Sequence, residues 1–177
     1  MNASTPPEDS MSDTAVAAEL SIRRALVSYA RGIDRCDADL LRSAYHDDAY
    51  DDHGDAFRGS ASDFVEWVIP HLRSRFLSTM HTLHNVFINL DGETADVETY
   101  CIAHHVANSG LDELQMSVFA CRYVDRFENR PGRGWRITHR TTVREWQANQ
   151  PMLEVAAQSP GFVLGSRDGN DPSYVSI

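Results

Sequence analysis

Among the residues whose side chains could do chemistry, the most informative are Asp34, the histidines at 81, 84, 104, 105 and 139, and the cysteines at 36, 101 and 121. Asp34 ends a helical run of apolar residues, where a carboxylate gains nothing from the negative end of the helix dipole. It is either a surface acid before a turn or a partly buried acid that holds a partner. His81 has two matching readings, an imidazole satisfied by a backbone carbonyl or an imidazole held by Asp34 through one ring N–H. In the second, the carboxylate fixes the tautomer and raises the basicity of the free nitrogen. That nitrogen can then remove a proton without a metal or a nucleophile.

Strand alternation sorts the remaining candidates. His81, Leu83, Asn85 and Phe87 share one side of a strand, and His84 faces the other way with Val86 and Ile88. His81 and His84 therefore do not form a metal pair, and zinc needs a third protein ligand in any case. On the next strand Thr99, Cys101, Ala103 and His105 share a face, opposite Glu98, Tyr100, Ile102 and His104. The first set is small until its end, which leaves room for a ligand and favours His105 over His104 as the pocket member. On the last strand Trp135 and Ile137 are natural core residues, and their parity carries His139 inward with them, against Arg136, Thr138 and Arg140. Cys101 lies mid-strand without a helix N-terminus or basic neighbour to activate it, so it lines or packs and does not attack. No Gly-rich phosphate loop, serine-hydrolase elbow or dinucleotide fingerprint is present. The expected contacts to a substrate are His105, His139, Asn85, Cys101 and Trp67, with no metal and no cofactor.

These side chains need elements to hold them. Residues 1–13 are polar and read as a disordered tail. Val16, Leu20, Ile22, Leu26, Tyr29 and Ile33 recur at helical spacing and predict a helix from Thr14 to Asp34. Asp37 can cap a second short helix with Leu40, Leu41 and Tyr45. The acid-rich stretch from His46 to Gly54 reads as a short strand around Ala49 and Tyr50 between solvated loops. Its Asp47, Asp48, Asp51 and Asp52 lack the ligand order and terminal Glu of a calcium loop. A third helix, opened by Ser60 or Ser62, holds Phe64, Val65, Trp67, Val68, Leu72 and Phe76, with Pro70 kinking or dividing it. From Thr79 to Trp146 the pattern is a four-strand meander, with Asp91-Gly92 marking a tight hairpin. Helices followed by strands make an α+β domain over residues 14–146. Residues 147–177 form an apolar C-terminal extension expected to pack on its own domain or on a neighbouring subunit.

The 177 residues carry 16 Lys and Arg against 26 Asp and Glu, a formal charge of −10. Phosphate backbones and anionic membranes favour the opposite sign, so nucleic-acid and membrane partners are set aside. No apolar run reaches the roughly 20 residues that span a bilayer. The N-terminus lacks the basic flank and apolar core of a signal peptide. Isolated cysteines without CxxC spacing fit a reducing, cytoplasmic setting.

The order of short motifs resembles a known family. Tyr29 and Asp34 are followed by Asp47-Asp48-Ala49, His81-Thr82-Leu83-His84-Asn85, Asp91-Gly92-Glu93-Thr94-Ala95, Glu98-Thr99-Tyr100 and Gly134-Trp135-Arg136-Ile137-Thr138-His139-Arg140. From about Ala15 to Trp146 this resembles the SnoaL-like branch of the nuclear transport factor 2 superfamily. The stretches 161–168 and 171–174 resemble the ending of many such chains. The resemblance implies a cone-shaped (cystatin-like) barrel, a curved and mostly antiparallel sheet packed on N-terminal helices around one pocket. It also implies likeness to scytalone dehydratase, hexachlorocyclohexane dehydrochlorinase and bile-acid 7α-dehydratase. Asp34 and His81 match their pocket Asp and His, Tyr29 matches a Tyr of the bile-acid enzyme, and His104 or His105 matches a third polar group. The function this suggests is a cofactor-independent dehydratase or isomerase acting on a small apolar cyclic substrate. Asp34 and His81 would be the base and Tyr29 a hydrogen-bond donor. The rival readings are a module that only binds a small hydrophobic ligand, or an accessory subunit like the small subunit of aromatic-ring dioxygenases. A homo-oligomer is expected, with a trimer favoured over a dimer, through an outer sheet face bearing Val86, Ile88, Tyr100 and Ile102.

Overall fold

A computed structural model describes residues 12–108, 114–152, 161 and 163–174. The chain opens with helix α1 (Asp13–Arg35), capped by the Ser12 hydroxyl, which accepts from the Ala15 N–H. Its buried stripe of Ile22, Leu26, Tyr29 and Ile33 follows the helical period and faces the core. At its end Cys36 takes the left-handed conformation, and its N–H closes on the Gly32 and Ile33 carbonyls. The chain thereby turns directly into α2 (Ala38–Ser43), which is capped by the Asp37 side chain. Gly32 makes this turn feasible, since a Cβ there would lie 2.7 Å from the Leu41 backbone. Tyr45, expected on the second helix, instead starts strand β1 (Tyr45–Asp52). A short strand β2 (Arg58–Ser60), which composition did not reveal, leads into α3 (Ala61–Arg75), capped by Ser60. Pro70 sits inside α3 on its exposed side, and the helix continues through it as one element. Water can satisfy the carbonyl that the missing N–H leaves free.

Four long strands follow: β3 (Ser78–Asp91), β4 (Thr94–Asn108), β5 (Leu114–Arg130) and β6 (Gly134–Met152). They make an antiparallel meander. β1 joins β6 in parallel, giving a six-stranded sheet in the order β2-β1-β6-β5-β4-β3. The sheet curves without closing, so β2 and β3 remain edges. The three helices pack on its concave side around a core that includes Ile22, Leu26, Tyr29, Phe64, Phe127 and Ile137.

Three β-bulges in β3 and β6 decide which residues of those strands face that core. One extra residue in β3 lies between the pairs Leu83–Cys101 and Val86–Thr99. Thr138 and Glu145 are the extra residues of β6. A bulge bends its strand and reverses the facing of everything beyond it. Val86 and Ile88 therefore pack against the core, contrary to their expected outer position, and Phe87 is 68% exposed. β6 also runs past Trp146 to Met152.

Residues 163–174 lie against the helices of the same chain. The Arg167 guanidinium donates to the Leu72 carbonyl at 3.2 Å, Arg31 to the Ser173 hydroxyl at 3.1 Å, and the Tyr174 hydroxyl to Asp37 at 3.0 Å. Residues 153–160, part of the expected extension, and residues 1–11 lie outside the described residues. Among the described residues no helix is long and apolar enough to cross a membrane.

Candidate active site

β3 is an edge strand, so every second N–H along it lacks a sheet partner. The last turn of α1 passes that edge, and Asp34 covers one such group. Its Oδ2 accepts the backbone N–H of His81 at 2.8 Å, and its Oδ1 accepts from the ring Nδ1 at 2.7 Å. Burial opposes the charge on Asp34, but the bonds from His81 outweigh it and hold the carboxyl below the ordinary carboxylate range. An ionised acceptor on Nδ1 fixes the proton there and leaves Nε2 as the basic nitrogen.

His81 lines a cavity of about 200 Å³ between the helices and the sheet. Most of the wall is apolar, with Ile33, Phe64, Trp67, Leu72, Phe76 and Phe119 as its larger members. His105 comes from β4, with its ring centroid 5.4 Å from that of His81 and its edge against Phe76 and Phe119. Its Nδ1 is buried without a hydrogen-bond partner among the described residues. Burial, with the nearby His81 adding to it, pulls the His105 pKa down to about 3, so the ring is neutral. Thr142 and Arg144 reach the same cavity from β6, past the Thr138 bulge.

Tyr29 forms part of the cavity wall and belongs to a polar cluster that sequence reasoning did not find. Its hydroxyl is 3.3 Å from His53 Nε2, and His53 Nδ1 bonds to Asp51. Asp51 is fully buried and also accepts from the Tyr45 hydroxyl at 2.5 Å. Beneath them Arg140 donates to both oxygens of Asp125, at 2.8 and 2.6 Å, with its guanidinium near the Tyr29 and Tyr123 rings. Burial pushes the Tyr29 phenol far above its usual range, against a smaller pull from Arg140, so it stays a neutral donor. The acid-rich run that reads as solvated thus contains a buried acid. Asp51 near the end of β1 and His53 just past it stand two apart in extended chain, a spacing that puts both on one face and was the available signal.

Asp34, His81, Tyr29, His105 and Trp67 gather at or beside this cavity, and three expected members do not. Asn85 lies within the β3 bulge and is exposed on the outer face, near His84 and Tyr100. His139 is displaced by the Thr138 bulge, so it is exposed and stacks on Tyr50 at 5.3 Å, while Arg140 takes the inward position. Cys101 does face inward, but it is covered and lies behind the wall against Cys121, its cross-strand partner. His104 takes the opposite face from His105. Among the described residues, no three His, Cys, Asp or Glu side chains form a group that could hold a metal ion.

A family profile for the SnoaL-like domain matches residues 14–141. A search of curated proteins finds no significant match. Among solved structures, a scytalone dehydratase-like protein from Novosphingobium aromaticivorans superposes with a TM-score of 0.68 at 18% identity, covering 87% of this chain and 100% of its own. A LinA-type3 hexachlorocyclohexane dehydrochlorinase from Novosphingobium barchaimii gives 0.64 at 19%, covering 82% and 97%. A protein of N. aromaticivorans described as the beta subunit of an aromatic-ring-hydroxylating dioxygenase gives 0.60 at 17%, covering 81% and 95%. At these identities the likeness shows the shared fold.

Proposed function

The chain belongs to the SnoaL-like domain family, and from that premise we propose that it is a cofactor-independent lyase or isomerase of small cyclic compounds, with His81 as its base. The observation that carries this reading is the double engagement of Asp34 by His81, which leaves one imidazole nitrogen free beside an apolar cavity. The fold hosts unrelated activities, so the geometry supplies the argument.

In the proposed reaction His81 Nε2 takes a proton from a carbon next to a carbonyl, and the C–H electron pair moves into an enolate. Tyr29 and His105 donate hydrogen bonds to the developing oxyanion, in surroundings dry enough to strengthen them. From the enolate, a β-hydroxyl that takes the proton now on His81 Nε2 leaves as water and gives elimination, and return of that proton to a more distant carbon gives double-bond migration. Both outcomes share the first step. An engineered cavity of about 150 Å³ holds benzene, so this one has room for a single ring with substituents.

The first step can be tested without knowing the natural substrate. Deuterium incorporation from heavy water into 2-cyclohexenone, followed by mass spectrometry, reads proton abstraction directly. Wild-type protein is expected to speed exchange, and His81→Ala and Asp34→Asn to lose roughly 10²–10⁴-fold of that effect. The double variant should be hardly worse than either single one, because the two groups act as a unit. Full exchange in His81→Ala would end the reading. Tight binding of ring compounds with no exchange would favour a module that only holds its ligand.

A further inference from the structure

His81 is one of two cavity imidazoles held by a carboxylate. The other is His53, just after β1, with its ring stacked on Phe64 at 4.7 Å and its Nδ1 on Asp51. Asp51 is fully buried, and its second oxygen is taken by Tyr45. Nε2 of His53 meets the Tyr29 hydroxyl at 3.3 Å. The His53 side chain is 20% exposed, whereas Tyr29 is 2% exposed. Asp51, His53 and Tyr29 therefore form a chain from a ring that water can reach to a phenol that it cannot. Among the described residues none of the three is hydrogen-bonded to Asp34 or His81, so this is a separate device.

The bonding dictates where the protons lie. Asp51 is an acceptor, so His53 Nδ1 carries a hydrogen. With Nε2 bare, the Tyr29 hydroxyl donates to it and its proton is turned away from the cavity. With Nε2 protonated, the ring donates to the phenol oxygen, and the Tyr29 proton must find another acceptor. Arg140, packed on the Tyr29 ring at 4.0 Å, is a donor only and cannot serve. Tyr29 lines the cavity, so a group bound there can be that acceptor.

We infer that Asp51 and His53 form a second acid–base pair of the pocket, which aims the Tyr29 proton at a carbonyl or hydroxyl oxygen of the bound ring. The assignment rests on the reading of the site given above and deepens it, since the substrate must then carry an oxygen opposite the carbon that His81 attacks. If that oxygen takes the Tyr29 proton, the phenol O–H bond breaks and the phenolate oxygen takes the Nε2 proton. His53 is left neutral with Nδ1–H still on Asp51, and a hydronium ion from solvent, which reaches the partly exposed ring, restores the Nε2 proton. Every proton is accounted for and no oxidant is needed. His53 is a positioning residue in the resting protein. The charged and titratable groups around it are Asp51 and Asp52 from its own segment, Tyr29 from α1, Asp125 from β5 and Arg140 from β6; α3 offers it the uncharged Phe64.

Long-range ¹H–¹⁵N NMR of the full chain tests the inference, with His53 assigned by its loss in His53→Gln and the Tyr29 ring carbon by its loss in Tyr29→Phe. At alkaline pH His53 should be the Nδ1–H tautomer, and on acidification both nitrogens should carry protons. The Tyr29 Cζ shift should follow that titration and become flat in His53→Gln. An Nε2–H tautomer, or a Tyr29 signal indifferent to His53, overturns the pair. The same spectra of His81→Ala should be unchanged, so failure of the base and failure of the relay are separable. Cyclohexenone labelled with ¹³C at its carbonyl completes the test. A downfield shift on binding that vanishes in Tyr29→Phe supports the aim at oxygen. Binding without that shift, or no binding at millimolar concentration, overturns it.

Discussion

Both oxygens of Asp34 accept from His81, one from its ring and one from its backbone, so the dyad is locked to the strand and not only to the side chain. His105 beside it is a different kind of histidine, buried and neutral, with its pKa pulled down to about 3. Its protons are linked to stability. Between pH 6.5 and about 3 the unfolded chain binds a proton at this position and the folded chain does not, so stability falls as pH drops through that window. At pH 5 the share lost through His105 is about 2 kcal/mol. Asp34 works at lower pH: its carboxyl is held below 3.8, so its contribution is present above that value and is lost only as pH falls through the folded pKa. Replacing His105 with Phe, which suits a wall shared with Phe76 and Phe119, should flatten the loss. Urea melts at pH 7 and pH 5 should show a smaller difference for His105→Phe than for wild type, and equal slopes would refute the assignment. At this scale Asp34, His81 and His105 were legible because helix and strand periods hold up to each of them. Asp51, His53, Asp125 and Arg140 were not. A buried charge carries no sequence mark of its partner, and Asp51 is hidden among acids that do face solvent, such as Asp47 and Asp48.

The elements set the dyad through one close contact and three irregularities. Gly32 lets α2 approach α1 until a Cβ would lie within 2.7–2.8 Å of the Leu41 backbone and side chain. Gly32→Ala gains about 1 kcal/mol of helix propensity, but it must push α2 away at a cost of about 1–3 kcal/mol. Asp34 lies half a turn beyond Gly32. The variant should therefore be no more stable than wild type in denaturant melts and should show slower deuterium exchange into the cyclohexenone probe. A more stable variant with full exchange would show that the contact is slack. The helices, the hairpin at Asp91-Gly92 and the meander were all readable, because their signals are local. The bulges were not: one extra residue alters the pairing with a distant strand and leaves no composition signal. Every misplacement of Asn85, Val86, Ile88 and His139 follows from reading parity straight through a bulge.

At the scale of the whole molecule, the outer sheet face is the surface in question. The bulges change its membership: Val86 and Ile88 leave it, and Phe87 joins Met80, Tyr100, Val124 and Trp146, all between 42% and 68% exposed. Tyr100 and Trp146 flank a shallow depression with Ile102, Ala120 and the Arg122 to Glu145 pair, so part of the apolar area is continuous. An apolar patch above a few hundred Å² normally marks an interaction surface. α1 presents a second candidate, where Leu20 and Val27 are exposed among Arg23, Arg24 and Arg31. The arginines there would repel their own copies across a symmetric contact, which makes the sheet face the better interface. Light scattering should therefore return a multiple of the single-chain mass. Phe87→Glu with Trp146→Glu should reduce it to one chain, while Leu20→Glu should leave it unchanged. The reverse result would move the interface to α1, and a single-chain mass for wild type at micromolar concentration would remove it. Ending the chain after Met152 separates the tail from this question. Arg167, Ser173 and Tyr174 each bond to the helical layer of the same chain, so the truncated protein should melt at a lower temperature and keep its oligomeric mass.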